Sequence, residues 1–290
     1  MAENFHDKID SIYPSLSKGH KRIADFIKTN YEKASFMTAA NLGKAVGVSE
    51  STVVRFASHI GFEGYPELQQ YLQEMVKSHL TSVQRMDVAA SRFEGDDFID
   101  KAFAADIEMI KATRDGISRE AFAKSVEAIN RAEKIYILGV RSSASLASFA
   151  AFYFRFLYRD VVLVDTSAAS EMFEQMFRIG SNDVCIAVSF PRYSNQTVKA
   201  LSFARKRGAA IISITDGEMS PIAQYATHLL VAKSSMVSFV DSLVAPLSLI
   251  NALIAASARE KREDVYNDFK ELEKIWDEYH VYSTGGEGNE

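Results

Sequence analysis

Cysteine is nearly absent from this chain of 290 residues: Cys185 is the only one. A single thiol excludes an internal disulfide and cannot by itself build a zinc site. Because it lies inside an apolar run, it reads as a buried structural residue. The first ten residues are polar and charged, so no secretory leader is read at the amino terminus. No stretch approaches the ~20 consecutive apolar residues needed to cross a bilayer. There is no internal repeat, no Gly-Lys-Ser/Thr phosphate loop and no full Gly-x-Gly-x-x-Gly after the first expected strand. The common nucleotide-binding motifs are therefore excluded. Nor is the chain basic throughout, since its net charge is −5. The expectation is a cytoplasmic globular protein with no membrane partner, no metal and no cofactor.

What remains is ordinary in bulk: 47% of residues are hydrophobic and 24% charged. The length suffices for two modest domains with separate cores. Charge is uneven, however. Lys18 to Gly61 carries seven Lys/Arg against three Asp/Glu, a modest footprint for phosphate contact.

That basic stretch contains TAANLGKAVGVSESTVVRFASHIG, from Thr38 to Gly61. Thr38 can cap a helix on which Ala39, Leu42 and Val46 share one face. Gly47 stands where this helix must stop, because glycine tolerates a left-handed backbone. Val48 plugs the angle, and Ser49 can cap a second helix. Val53, Val54 and Phe56 are expected to hold that helix to a core. Ser51, Thr52 and Arg55 are left pointing outward. Two short helices joined by a tight turn present the second to a DNA major groove.

The amino-terminal 80 residues read as wholly helical, with further amphipathic stretches at Ile23–Ile27 and Leu68–Met75. From Lys77 to Asp97 the pattern weakens. The second half changes rhythm. Two helices, Phe98–Thr113 and Arg119–Arg131, lead into five short runs rich in Ile and Val. These are Lys134–Leu138, Val161–Val164, Val184–Val188, Ala210–Ile214 and His228–Val231. Runs apolar on both faces suit the interior of a parallel sheet covered by helices on both sides. A long apolar helix is expected over Phe239–Arg259 and a charged amphipathic one over 263–279. The divisions are 1–80 for the helical DNA-binding domain, 81–98 for a linker and 99–262 for a three-layer α/β domain with a five-stranded parallel sheet. Residues 263–290 form a terminal helix and a disordered tail from Ser283 to Glu290.

In open parallel sheets, ligands bind beyond the carboxyl ends of the strands. The expected first strand is followed by Gly139-Val140-Arg141-Ser142-Ser143, and the third by Ser189 through Thr197. Both loops are dense in hydroxyls and open helices, whose amino termini favour anions. Arg141 and Arg192 would complete a phosphate cradle. The competing reading of each serine is a simple helix cap.

At these residues the chain resembles the RpiR/MurR regulators, in which a helix-turn-helix precedes a sugar isomerase (SIS) domain. The resemblance runs from about Ser15 to Glu260. It is carried by LSKGHKRIADFI, VGVSESTVVRF, GFEGYPEL, AVSFPRYSNQTV, ISITD and SPIAQYATHLL. It implies operator binding by the helical domain and sugar-phosphate sensing by the SIS domain. By position, it implies DNA contacts from Ser49, Ser51, Thr52 and Arg55. It likewise implies ligand contacts from Ser142, Ser143, Ser189, Arg192, Ser194 and Thr197.

Arg55 is either a reader of a base edge or a phosphate or surface contact. Lys44, Lys21 and Arg22 touch phosphates or nothing. His59 reads as a solvated end residue, and Tyr65 either reaches the DNA backbone or packs under its loop. Glu171 lies in Ala168-Ala169-Ser170-Glu171-Met172-Phe173, a segment that resembles the second-strand loop of SIS-fold isomerases, where a glutamate is the base. Aldose–ketose interconversion needs such a base and usually a second acid/base group. His228 sits at the start of a strand, the wrong end for that role, and Pro191-Arg192-Tyr193 replaces a small glycine-containing turn. Glu171 is therefore read as a helix amino-terminal acid or an acceptor for ligand hydroxyls, and no catalytic set is expected. The alternative is a sugar-phosphate isomerase with Glu171 as base. A weaker option is a regulator of an unphosphorylated sugar or amino sugar. Phe149, Phe152, Tyr153 and Phe156 would form a self-complementary surface for a homodimer or homotetramer, or else pack on the lead-in helices.

Overall fold

The computed structural model describes residues 5–79, 81–86, 97–166, 168–236 and 240–282. The chain divides into two compact units, Met1–Arg92 and Phe93–Glu290.

Unit 1 is helical. Its elements are α1 (Phe5–Ile12), α2 (Lys18–Thr29), α3 (Tyr31–Ser35), α4 (Ala39–Val46), α5 (Glu50–His59) and α6 (Tyr65–His79), with a further helical stretch at 82–86 inside the segment expected to be linker. Ile9, Ile23, Ile27, Leu42, Val53, Phe56, Leu68 and Leu72 are fully buried in one core. Each removes ~1.5–3 kcal/mol worth of apolar surface from water. Val54 departs from expectation: it is 39% exposed. Val53, Phe56, Ala57 and Ile60 take the buried stripe at helical spacing, and Val54 falls off it.

Unit 2 is a five-stranded parallel sheet of order β2-β1-β3-β4-β5. The strands are β1 (Ile135–Gly139), β2 (Val161–Val164), β3 (Val184–Val188), β4 (Ala210–Thr215) and β5 (His228–Val231). Every residue of β1 and β3 is buried, while the edge strands β2 and β5 are half-buried. The helices are α7 (Phe98–Gly116), α8 (Arg119–Arg131), α9 (Ser143–Leu157), α10 (Ala169–Met176), α11 (Asn195–Lys206), α12 (Val244–Glu260) and α13 (Arg262–Glu278). Side chains alternate along each strand, so the sheet feeds two cores. Ile135, Ile137, Ile186 and Ile212 pack with α8, α9 and α12. Tyr136, Leu138, Cys185 and Ile211 pack with α10 and α11. The three-layer arrangement is the expected one.

Helix α12 begins at Val244 rather than Phe239. The residues before it are tied into a loop: Ser234 Oγ donates to the Ser242 carbonyl at 2.9 Å, and Ser242 N donates to the Ser235 carbonyl at 2.8 Å. Ser242 Oγ also donates to Asp106 of α7 at 2.5 Å. Phe239 lies outside the described residues, as does the tail from Ser283 to Glu290.

Candidate functional site

The DNA-facing candidate is built by three local devices. Thr38 Oγ1 accepts from Asn41 N at 3.2 Å and starts α4. Gly47 then turns left-handed at φ 72°, and Val48 N donates to the Gly43 carbonyl at 2.9 Å. A side chain at Gly47 would strain this turn. Ser49 finally caps α5, its Oγ accepting from Thr52 N at 3.3 Å and lying 2.9 and 2.8 Å from the hydroxyls of Ser51 and Thr52. Arg22 of α2 reaches the Gly47 carbonyl at 3.5 Å, so it braces the turn.

The exposed side of α5 carries Ser51, Val54, Arg55, Ser58 and His59, with Thr52 half-buried beside them. Arg55 Nε donates to the Ser51 carbonyl at 3.2 Å, one turn back along the same helix. Lys44 is exposed in the last turn of α4. Tyr65 is buried, and its hydroxyl donates to the Met37 carbonyl at 2.7 Å. Burial pushes its pKa up to about 12. It packs under its loop and is no reader. Val54 was missed because it lies next to Val53 in a β-branched pair that looks like core.

The second candidate lies at the carboxyl edge of the sheet. Gly139 of β1 is paired with Val188 of β3, so the two following loops leave adjacent strands at one level, about 4.8 Å apart. From there α9 packs on one face and α11 on the other. This is the switch point of the topology, where ligands enter doubly wound sheets. Gly139 makes the close approach possible. A Cβ there would stand 2.6 Å from the Ser143 carbonyl oxygen and 2.7 Å from Ala147 Cβ.

The β1 loop holds Arg141, Ser142 and Ser143. Ser142 is exposed, and its side chain makes no capping bond to α9. Ser143 is buried in the first turn. The β3 loop holds Ser189, buried at the strand end, and Arg192, exposed. Ser194 caps α11, its Oγ accepting from Gln196 N at 3.2 Å. Thr197 is fully buried in the first turn of α11. Its hydroxyl, like Gln196 Oε1, has no hydrogen-bond partner among the described residues. A buried hydroxyl left so costs ~1–3 kcal/mol unless something else supplies a partner.

Arg141 and Arg192 share an unusual backbone, with φ of 57° and 61°. Left-handed arginines cost roughly 1–2 kcal/mol each. Two of the three such non-glycine residues among the described residues are these two arginines, and strain of this kind concentrates at functional loops.

Sequence reading missed a latch between the β3 and β4 loops. Tyr193 donates its hydroxyl to Asp216 Oδ1 at 2.7 Å. Thr215 Oγ1 donates to the Ser189 carbonyl at 2.7 Å and lies 2.7 Å from Ser220 Oγ. These bonds fix the β3 loop against the end of β4.

Glu171 stands in the first turn of α10, exposed, with Oε2 accepting from the Thr166 hydroxyl at 2.7 Å. His228 opens β5 at the opposite edge of the sheet from these loops. Cys185 is buried on β3, and burial pushes its thiol pKa up to about 12.

Comparison with known proteins gives both units a relationship. Residues 3–79 match the helix-turn-helix domain of the rpiR family, and residues 128–256 match the SIS domain. An uncharacterized HTH-type transcriptional regulator of Haemophilus influenzae is 29% identical over 235 residues, covering 79% of each chain. The HTH-type transcriptional regulator HexR of Pseudomonas aeruginosa is 26% identical over 229 residues, covering 78% of this chain and 77% of its own. Among solved structures, the sugar isomerase domain of an RpiR transcription factor from Sphaerobacter thermophilus is 28% identical. It aligns with a TM-score of 0.59 over 62% of this chain and 99% of its own. The Vibrio vulnificus NanR protein complexed with ManNAc-6P shares the fold at 22% identity and a TM-score of 0.56, over 97% of this chain and all of its own.

Proposed function

The chain belongs to the rpiR family of helix-turn-helix regulators with a SIS domain, and from that premise we propose that a sugar phosphate held between the β1 and β3 loops controls its grip on operator DNA. The curated relatives matched along most of its length are transcriptional regulators. The reading that the protein regulates carbohydrate genes in the cytoplasm extends that relationship. No described helix is long and apolar enough to cross a membrane.

The single observation that carries the ligand reading is the buried, partnerless hydroxyl of Thr197 at the amino end of α11. A phosphate oxygen there would supply its missing partner and meet the free N–H groups of the helix. Ser142, Ser143, Ser189 and Ser194 bring further hydroxyls to the same sheet edge, and Arg141 and Arg192 bring charge. Glu171 can accept from a sugar hydroxyl in place of Thr166. A protein of this fold, NanR, is complexed with ManNAc-6P, so the fold accommodates a phosphorylated sugar.

At the DNA, Ser51, Thr52 and Arg55 face the bases or backbone, Val54 offers an apolar contact to a thymine methyl, and Lys44 meets phosphate. Ser49 acts through its cap, since its hydroxyl is already engaged. The ligand can act only through different affinities for the DNA-competent and incompetent states.

A dimer suits two half-sites of an operator. Phe152 and Tyr153 on α9 are 56% and 41% exposed, edge-to-face with each other and continuous with Phe156 and Phe269. An aromatic patch of this kind fits a second copy of the chain. Sedimentation of the wild type and of Phe152→Glu tests it: a monomeric wild type refutes the dimer.

The isomerase reading is not favoured. The curated relatives are named as transcriptional regulators, and His228, the other acid/base candidate, opens β5 away from the loops that would hold the sugar. The test of the proposed function is a thermal-shift panel of hexose, pentose and amino-sugar phosphates. A stabilising member should then change the affinity for a duplex that the protein itself has enriched from a random library. No stabilisation by any phosphorylated sugar refutes the ligand reading.

A further inference from the structure

Ser51, Arg55 and His59 are spaced four residues apart on α5 and all are exposed, so His59 continues the reading face rather than ending it. Against α5, from Thr52 to His59, lies the first turn of α2. A Cβ at Gly19 would stand 3.5 Å from Thr52 Cγ2, and the His20 ring meets Phe56 edge-on at 5.6 Å. The His20 and His59 rings are 5.5 Å apart. Two imidazoles and a guanidinium are thus gathered along the carboxyl-terminal half of a helix whose partner is a polyanion.

We propose that His20 and His59 form a proton-dependent contact to the DNA backbone beside the reading helix. It rests on the DNA-binding reading and adds a second element, the start of α2, to the interface.

The charged surroundings favour this. Burial lowers the His20 pKa, and its neighbours His59 and Arg55 on α5 push it the same way. On α2 itself Lys18, Lys21 and Arg22 are cationic, and Asp25 accepts the Tyr13 hydroxyl at 2.8 Å. From the other helices packed on α2, α4 contributes Lys44, and α3 carries both Glu32 and Lys33 in its sequence. Glu50 is at the far end of α5, about 14 Å along the axis from His59. Glu67 of α6 accepts from Glu63 N at 2.5 Å. Among the described residues, no carboxylate belongs to the groups that shift His20. With its pKa lowered, His20 is held toward its neutral form in the free protein, and a backbone phosphate beside the pair favours uptake of a proton. Binding is therefore stronger at low pH, and the gain is lost as pH rises through the bound-state pKa values.

The test is a fluorescence-anisotropy titration of the full chain at pH 6.0 and 8.0 and fixed salt, on a library-enriched duplex and on a random-sequence duplex. Wild type, His59→Gln and His20→Gln/His59→Gln are compared. Wild-type affinity should rise about 10-fold more on going to pH 6.0 than that of the double variant, as for an average uptake of about half a proton across the two pH units. Single replacement of the exposed His59 should remove much of this change without touching the core. Calorimetry in two buffers of different ionisation enthalpy should show proton uptake by wild type only. The extra pH dependence should appear on both duplexes, because backbone phosphates are common to both. Equal pH dependence in wild type and double variant overturns the contact, as does an effect confined to the enriched duplex. Absence of binding to either duplex at low salt overturns the DNA-binding reading with it.

Discussion

Replacing Gly139 by alanine would disturb the ligand edge while leaving the DNA-binding unit untouched. The added methyl would meet the Ser143 carbonyl oxygen at 2.6 Å and Ala147 Cβ at 2.7 Å. Both obstacles belong to α9, so neither can yield by a side-chain rotation. The helix must move by roughly half an ångström or more to restore ordinary contacts. Overpacking of this kind costs ~1–3 kcal/mol. The lower backbone entropy of alanine in the unfolded chain returns ~0.4–1 kcal/mol. A net loss of about 1–2 kcal/mol should lower the melting temperature of a unit of this size by about 3–8 °C. Calorimetry reads that shift. The same movement carries Ser142 and Ser143 away from the β3 loop, so sugar-phosphate affinity should fall about 10-fold or more. DNA affinity without ligand should be unchanged. A Gly139→Ala protein as stable and as ligand-responsive as wild type would refute the close-packing argument.

Arg55→Ala should weaken binding to the enriched duplex more than to random sequence, by ~1–3 kcal/mol, in competition anisotropy; equal weakening on both would make Arg55 a phosphate contact. Tyr65→Phe should cost about 1 kcal/mol in denaturant unfolding and leave DNA binding intact, because the Met37 carbonyl keeps its second donor, Gln69 Nε2 at 2.8 Å. Cys185, with its thiol pKa raised by burial to about 12, should resist alkylation at pH 8 in the native protein and react on unfolding. Tyr193→Phe should loosen the β3 loop from Asp216 and weaken ligand binding several-fold, measured by isothermal titration, with melting temperature little changed.

Much of the fold was legible because its signals are local. Each central strand is buried on both faces and so reads as an unbroken Ile/Val run. Thr38, Gly47 and Ser49 each perform a cap or stop that their chemistry announces. What escaped depends on pairs distant in sequence. Tyr193 and Asp216 are 23 residues apart and meet only because β3 and β4 are neighbours in register. His20 and His59 meet only through the packing of α2 on α5. The left-handed backbones of Arg141 and Arg192 gave no signal, since glycine is the usual mark of that conformation. The start of α12 was misplaced because Phe239, Val240 and Leu243 look like its apolar continuation, whereas the hydrogen bonds of Ser234 and Ser242 hold Ser242 in a loop before Val244.

Thr197→Val offers the most direct test of ligand control. The replacement keeps the side-chain shape and removes a hydroxyl that has no partner among the described residues, so unliganded stability should hold or rise by up to ~1–3 kcal/mol and DNA affinity should stay within error. In an anisotropy titration of the protein–duplex complex with the stabilising sugar phosphate, wild type should change its DNA affinity, and the variant should need at least about 10-fold more ligand for the same change. An identical ligand response in both proteins would contradict a phosphate bound at the start of α11.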